Sequence, residues 1–205
     1  AQIASLTTGD LNSLGTAQFK AISSAQVAGL TTTQVAALET ADLAALAPAA
    51  IKGMSLAQIA ALSTAQLSIL TSAQVAALTT AQLASLTIGD LNALTTAQFA
   101  ALTSAQAAGL TTAQLVALES ADLASLSTGV IKSLSTAQLA ALTTDQLPTL
   151  KAAQVAALTT AQLVSLSTGD LNAFGTAQFG ALTSAQVAGL TTAQVAALET
   201  ADLAA

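Results

Sequence analysis

The chain counts in eights. From Thr7 onward it divides into octads with no insertion or deletion: TTGDLNSL, GTAQFKAI, SSAQVAGL, TTTQVAAL, ETADLAAL, and so on to its last line. Residues 1–6 complete one octad and residues 199–205 begin another. The consensus is T-T-A-Q-[VLIF]-A-A-L. A short period held this strictly means that one local structure recurs and that each copy packs on its neighbours. Any fold open to the chain is therefore built from a single eight-residue element.

The residues at each position say what that element is. Position 1 is mostly Thr or Ser, and position 4 is Gln or Asp except at Ala50 and Val130. This is the spacing of a capping box, in which the first side chain accepts from the N3 backbone N–H and the fourth reaches back to the N-cap N–H. Pro48 falls at position 2, which is the first helical residue in this frame and a favoured place for proline. Positions 5 and 8 are the consistently large apolar ones, with Ala107 as the small residue at position 5 and Ile22, Met54 and Phe174 in place of Leu at position 8. A separation of three puts both on one helical face. Positions 3, 6 and 7 are mostly Ala, Gly or Ser, which lets backbones approach closely.

A single long helix is excluded, because each octad would rotate the apolar pair by about 80° around the rod, and supercoils use periods of seven or eleven. A β-solenoid is the stronger rival. Against it, Ala, Gln and Leu favour helix, and strict apolar–polar alternation is missing. The expected fold is all-α: a solenoid or superhelix of short helices, one helix and one turn per octad. An octad alone would not fold, since two buried large side chains contribute about 4 kcal/mol, well short of the entropy of ordering the whole unit. Residues 1–205 are expected to form one continuous array, a stretch of a longer tract.

A longer period lies over the octad. TTGDLNSL at Thr7, TIGDLNAL at Thr87 and STGDLNAF at Ser167 stand ten octads apart, and APAAIKGM at Ala47 and STGVIKSL at Ser127 fall midway between them. Position 6 turns polar in every fifth octad, at Asn12, Lys52, Asn92, Lys132 and Asn172. Block duplication accounts for this, and so does a superhelix of about five octads per turn with these polar residues aligned along one edge. Pro148, at position 6 of TTDQLPTL, removes a helical hydrogen bond and predicts a local distortion.

The candidate chemistry is sparse. The chain has no His, Cys, Trp, Tyr or Arg, which removes the usual metal ligands, thiol nucleophiles and most general bases. Its net charge is −6, with only Lys20, Lys52, Lys132 and Lys151 as cations, so nucleic acid is not an expected partner. The mean hydropathy of +0.70 comes from Ala and Leu at fixed positions, and no apolar run reaches the ~18 residues of a membrane span. The pairs Glu39–Asp42, Glu119–Asp122 and Glu199–Asp202, with Asp10, Asp90 and Asp170 after glycine, invite a calcium reading. Calcium needs six to eight oxygens from a dense loop, and carboxylates in a first helical turn favour the dipole and cap the helix. Capping is the expected role. Glycosidase chemistry on paired carboxylates lacks an aromatic platform and a unique cleft. No catalytic, cofactor or metal site is expected.

Position 2 is Thr or Ser except at Pro48, Leu56, Ile88 and Ala152. If it faces solvent, it presents regular rows of hydroxyls and methyls, which resemble an ice-binding surface. The TTAQVAAL-type octad, complete at Thr191–Leu198 and nearly so across LTSAQVAALTTAQL (Leu70–Leu83), resembles the repeat tracts of large bacterial surface and secreted proteins of the adhesin-like kind. That resemblance implies a long, acidic, cysteine-free extracellular or cell-surface protein. The expected function is structural, a stalk, spacer or filament-forming scaffold without catalysis, associating end to end or with neighbouring repeats of the same chain. The alternative is a binding module, above all an ice-binding face made by the Thr/Ser array.

Overall fold

The computed structural model describes residues 3–198. Among these there are 23 α-helices of four to six residues, two 3-10 turns and no strand. The all-α solenoid of short helices is borne out, and the β-solenoid is not. The chain forms two compact units, Ala1–Ala101 and Leu102–Ala205.

Every α-helix starts at position 2 of its octad, with position 1 as an extended N-cap. At Thr79 the backbone is at φ −71° and ψ 158°, and its Oγ1 accepts from the Gln82 N–H. The helix closes with the Leu83 N–H donating to the Thr79 carbonyl at 3.0 Å and the Leu86 N–H to the Leu83 carbonyl at 3.2 Å. Leu78, at position 8 of the octad before, is also extended at φ −55° and ψ 141°. Two successive extended residues thus make the bend. No described residue has a positive φ, so the bend needs no glycine and an Ala- and Leu-rich sequence can form it at every unit.

The apolar pair builds the core. Position 5 is fully buried at Leu11, Val35, Leu67, Leu115 and Leu139, and position 8 is buried at Leu38, Leu70, Leu126 and Leu158. Exceptions are Val187 and Val195, position-5 side chains exposed at 49 % and 44 %. Within unit 1, the helix Pro48–Lys52 packs against Ser24–Ala28 and Ser72–Ala77, each three octads away. In unit 2, Ser104–Ala108 packs against Thr128–Ser133 at the same spacing. Side chains reach carbonyls four octads back, as at Gln58 and Val27. A turn of the coil therefore holds between three and four octads.

This corrects the five-octad turn. The five-octad period is a period of the sequence, and its polar residues do not mark one edge of the coil. Asn12 and Asn172 instead tie turns together: each Nδ2 donates to the position-7 carbonyl three octads on, Ala37 at 2.8 Å and Ala197 at 2.9 Å.

Small residues at position 7 have a definite neighbour, position 2 three octads earlier. A Cβ on Gly53 would lie 2.7 Å from the Ser24 Cβ, and one on Gly189 would lie 3.1 Å from the Thr160 Cγ2. The Ser133 and Ser165 hydroxyls donate to the Ser104 and Thr136 carbonyls across the same contact. Pro148 distorts its octad as expected, leaving the 3-10 turn Leu147–Thr149 where the others have an α-helix.

Candidate functional site

The recurring polar feature of the structure is the position-4 glutamine. At Gln58, Oε1 accepts from the Ser55 N–H at 2.7 Å while the Gln58 N–H donates to the Ser55 Oγ at 3.2 Å. That is the expected capping box. The other end of the same amide was not expected: Nε2 donates to the Val27 and Leu30 carbonyls, both at 2.8 Å, at positions 5 and 8 four octads earlier. A position-5 carbonyl already accepts within its own octad, as Val27 does from the Leu30 N–H at 3.0 Å, so Nε2 is its second donor, whereas the position-8 carbonyl lies in the bend past the helix end. One buried amide therefore caps the start of its own helix and satisfies the end of another.

The arrangement repeats as a ladder. In unit 1, Gln66 reaches Val35 and Leu38, Gln74 reaches Leu43 and Leu46, and Gln98 reaches Leu67 and Leu70. In unit 2, Gln138 reaches Ala107 and Leu110, Gln162 reaches Ile131 and Leu134, and Gln194 reaches Leu163 and Leu166. Gln74 is fully buried, whereas Gln18 and Gln26 are exposed. At Lys151 and Gly175 position 1 has no side chain that can accept, yet its N–H still donates to Gln154 and Gln178 Oε1. One signal in the sequence pointed to the ladder: Glu never stands at position 4. A carboxylate would cap as well and suit the helix dipole, so the persistent amide marks a use for its NH2.

Matches to a family model described as the ALTTAQ repeat cover residues 3–40, 35–72, 60–88, 88–119, 115–152 and 164–200. The chain belongs to the ALTTAQ repeat family. Ala77–Gln82 spell that motif, and they hold the close of one helix, the two-residue bend at Leu78 and Thr79, and the capping box with Gln82. The ALTTAQ motif is thus the joint between helices, with the ladder glutamine as its last letter. Comparison with curated proteins gave no match.

The acidic residues fall into two kinds. Asp10, Asp90 and Asp170 cap their helices: Asp10 Oδ2 accepts from the Thr7 Oγ1 at 2.6 Å and the Thr7 N–H at 3.2 Å, with the same pattern at Thr87 and Ser167. The Thr7 hydroxyl, and then its N–H, hold the Asp10 carboxyl below the usual aspartate range. Asp42 and Asp122 depart from the capping expectation. Their octads have no side-chain cap, and Glu39 and Glu119 stand at position 1. Both aspartates are 4 % exposed, and burial, then the neighbouring glutamate, pushes each carboxyl above its ordinary value. Glu199 and Asp202 lie outside the described residues. Among the described residues no three or more His, Cys, Asp or Glu side chains gather into one group, and no helix is long and apolar enough to cross a membrane.

The Thr rows at position 2 face solvent. Thr64, Thr80, Thr96, Thr112 and Thr136 are exposed, and so are Leu56 and Ile88, at 49 % and 47 %.

Proposed function

We propose that the chain is a structural segment, a stalk or spacer of an extracellular or cell-surface protein, with no catalytic activity. The observation that carries this reading is the ladder. Most octads use a buried position-4 glutamine to hold the coil and their position-5 and position-8 side chains to fill the core, so length can be added by repeating the same contacts. Most solvent-facing positions carry Thr, Ser or Ala, with few charges among them, which suits a passive spacer. Octads that pack on one another in this way also let copies of the chain join end to end into filaments.

The test is small-angle scattering on this chain and on versions with ten octads inserted in phase. A spacer lengthens in proportion to the number of octads at constant cross-section, and a chain that grows in all directions would refute the reading. Electron cryo-microscopy of the same samples as a function of concentration decides whether copies also join into filaments.

A second reading is an ice-binding face. It is favoured by the exposed position-2 threonines, whose hydroxyls, as at Thr64 and Thr80, have no hydrogen-bond partner among the described residues. Thermal hysteresis in an osmometer tests it. No hysteresis at millimolar protein would remove this reading and leave the spacer standing.

A further inference from the structure

Asp42 stands where the ladder calls for an amide. Its neighbours in the row keep the pattern: Gln34 donates to the Leu6 carbonyl at 2.8 Å, and Gln58 to the Val27 and Leu30 carbonyls. The same register sets Asp42 opposite the Leu11 and Leu14 carbonyls. Asp42 is 4 % exposed, and its carboxyl makes no hydrogen bond among the described residues. A carboxylate there is a third acceptor facing two acceptors, in a site with little water to solvate it. A carboxylic acid carries one O–H donor and no charge.

We propose that the ETAD octad is an acid-strengthened joint: protonation of Asp42 supplies the donor that this rung of the ladder lacks, and the coil of unit 1 becomes more stable as pH falls from neutral. Asp122 repeats the local setting in unit 2, buried and beside Glu119.

The surroundings of Asp42 support an uptake of protons in this range. Of the helices packed on Thr40–Ala45, Thr16–Ala21 carries Lys20 and Thr64–Ser68 carries no charge. The adjoining octads in sequence supply Lys52 alone, the octad opposite carries Asp10, and the same octad carries Glu39. Lys20 and Lys52 are exposed, and Asp10 is bonded to Thr7. Burial and the Glu39 charge are what act on the Asp42 carboxyl, and both raise its pKa. A carboxyl whose pKa is higher in the folded chain than in the unfolded one adds stability as pH falls through the folded value, and the gain is complete below the unfolded value.

The test is thermal unfolding of the full chain, followed by circular dichroism from pH 7 to pH 4.5, in the wild type and four variants: Asp42→Gln, Asp122→Gln, the double variant, and Asp145→Asn. Gln is the residue the rest of the ladder uses, so these variants keep the fold. Asp145 is exposed at position 3 and controls for general relief of negative charge. The wild-type midpoint should rise by about 2–4 °C on acidification, the shift that one stronger rung gives a chain of this size. Asp42→Gln and Asp122→Gln should each unfold higher than wild type at pH 7, the double variant should lose the rise, and Asp145→Asn should keep it. A double variant that keeps the full rise, or a wild type whose midpoint does not climb, overturns the proposal. So does a carboxyl carbon titration of Asp42 by NMR at or below the ordinary aspartate value.

Discussion

The Nε2 of Gln74 donates to the carbonyl oxygen of Leu46, 2.7 Å away and in the fourth octad back along the chain. At 2.8 Å its Oε1 accepts from the Thr71 N–H, which begins the same helix. Gln26 shares only the second of these bonds, accepting from the Ser23 N–H at 2.8 Å while it stands exposed. One substitution therefore has unequal consequences at two positions of the same motif.

Gln74→Glu keeps the cap but sets a buried negative charge against two carbonyls, and should destabilise the chain by about 2–4 kcal/mol at pH 7. Gln26→Glu also keeps its cap and places the charge in water near a helix start, so the change should stay within about 0.5 kcal/mol. Urea denaturation of both variants checks the pair. Equal losses would mean that the amide matters only as a cap.

The close contact between positions 7 and 2 makes a second contrast. Gly53→Ala drives a Cβ to 2.7 Å from the Ser24 Cβ and 3.1 Å from the Ser24 carbonyl oxygen. It should cost about 1–3 kcal/mol, as overpacking does. Gly9→Ala meets nothing nearer than the Thr7 Oγ1 at 3.9 Å. Inside the helix Thr8–Asn12 it should gain about 0.5–1 kcal/mol from lost chain entropy. Denaturant midpoints of the two variants should move in opposite directions.

The two ends of the glutamine amide explain what could be read from the sequence and what could not. Oε1 acts within its own octad, on the residue that opens it, so the cap, the helix start and the buried faces of positions 5 and 8 follow from spacing alone. Nε2 acts on the fourth octad back, as from Gln74 to Leu43 and Leu46, and no local rule fixes how many octads fill a turn. The return of a polar position 6 at Asn12, Lys52 and Asn92, every fifth octad, suggested a five-octad turn, because a sequence period was read as a geometric one. The contacts of Pro48–Lys52 and the bonds of Gln58 set the turn between three and four. Asp42 and Asp122 were read as caps because they share position 4 with Asp10. Thr7 gives Asp10 a hydroxyl donor beside its N–H, which Glu39 and Glu119 cannot supply, and burial gives their aspartates a different character.

Pro148 was legible for a local reason as well, since a missing N–H has its effect inside one octad. Pro148→Ala should restore the α-helical turn that Leu147–Thr149 lacks. The net gain should be about 1 kcal/mol, because part of the helical benefit is offset by the freer unfolded chain. Amide exchange in residues 143–150 should slow in the variant. Unchanged exchange would show that the neighbouring turns, and not the proline, hold the octad in its 3-10 form.

The Asp10 carboxyl gives the opposite sign of pH dependence from Asp42. Its pKa is lowered by the hydrogen bonds from Thr7, the hydroxyl first and the backbone N–H second. A carboxyl held lower in the folded chain contributes stability above its unfolded pKa, and that contribution is lost as pH falls through the folded value. Acidification below pH 4 should therefore loosen the helix Thr8–Asn12 while the ETAD joints keep their gain. Thr7→Ala removes the hydroxyl donor and should return Asp10 towards the ordinary aspartate value of about 3.9. NMR titration of the Asp10 carboxyl in both chains measures this directly. A titration that does not move in Thr7→Ala would assign the shift to the backbone N–H, and the acid sensitivity of this helix would then persist without its threonine.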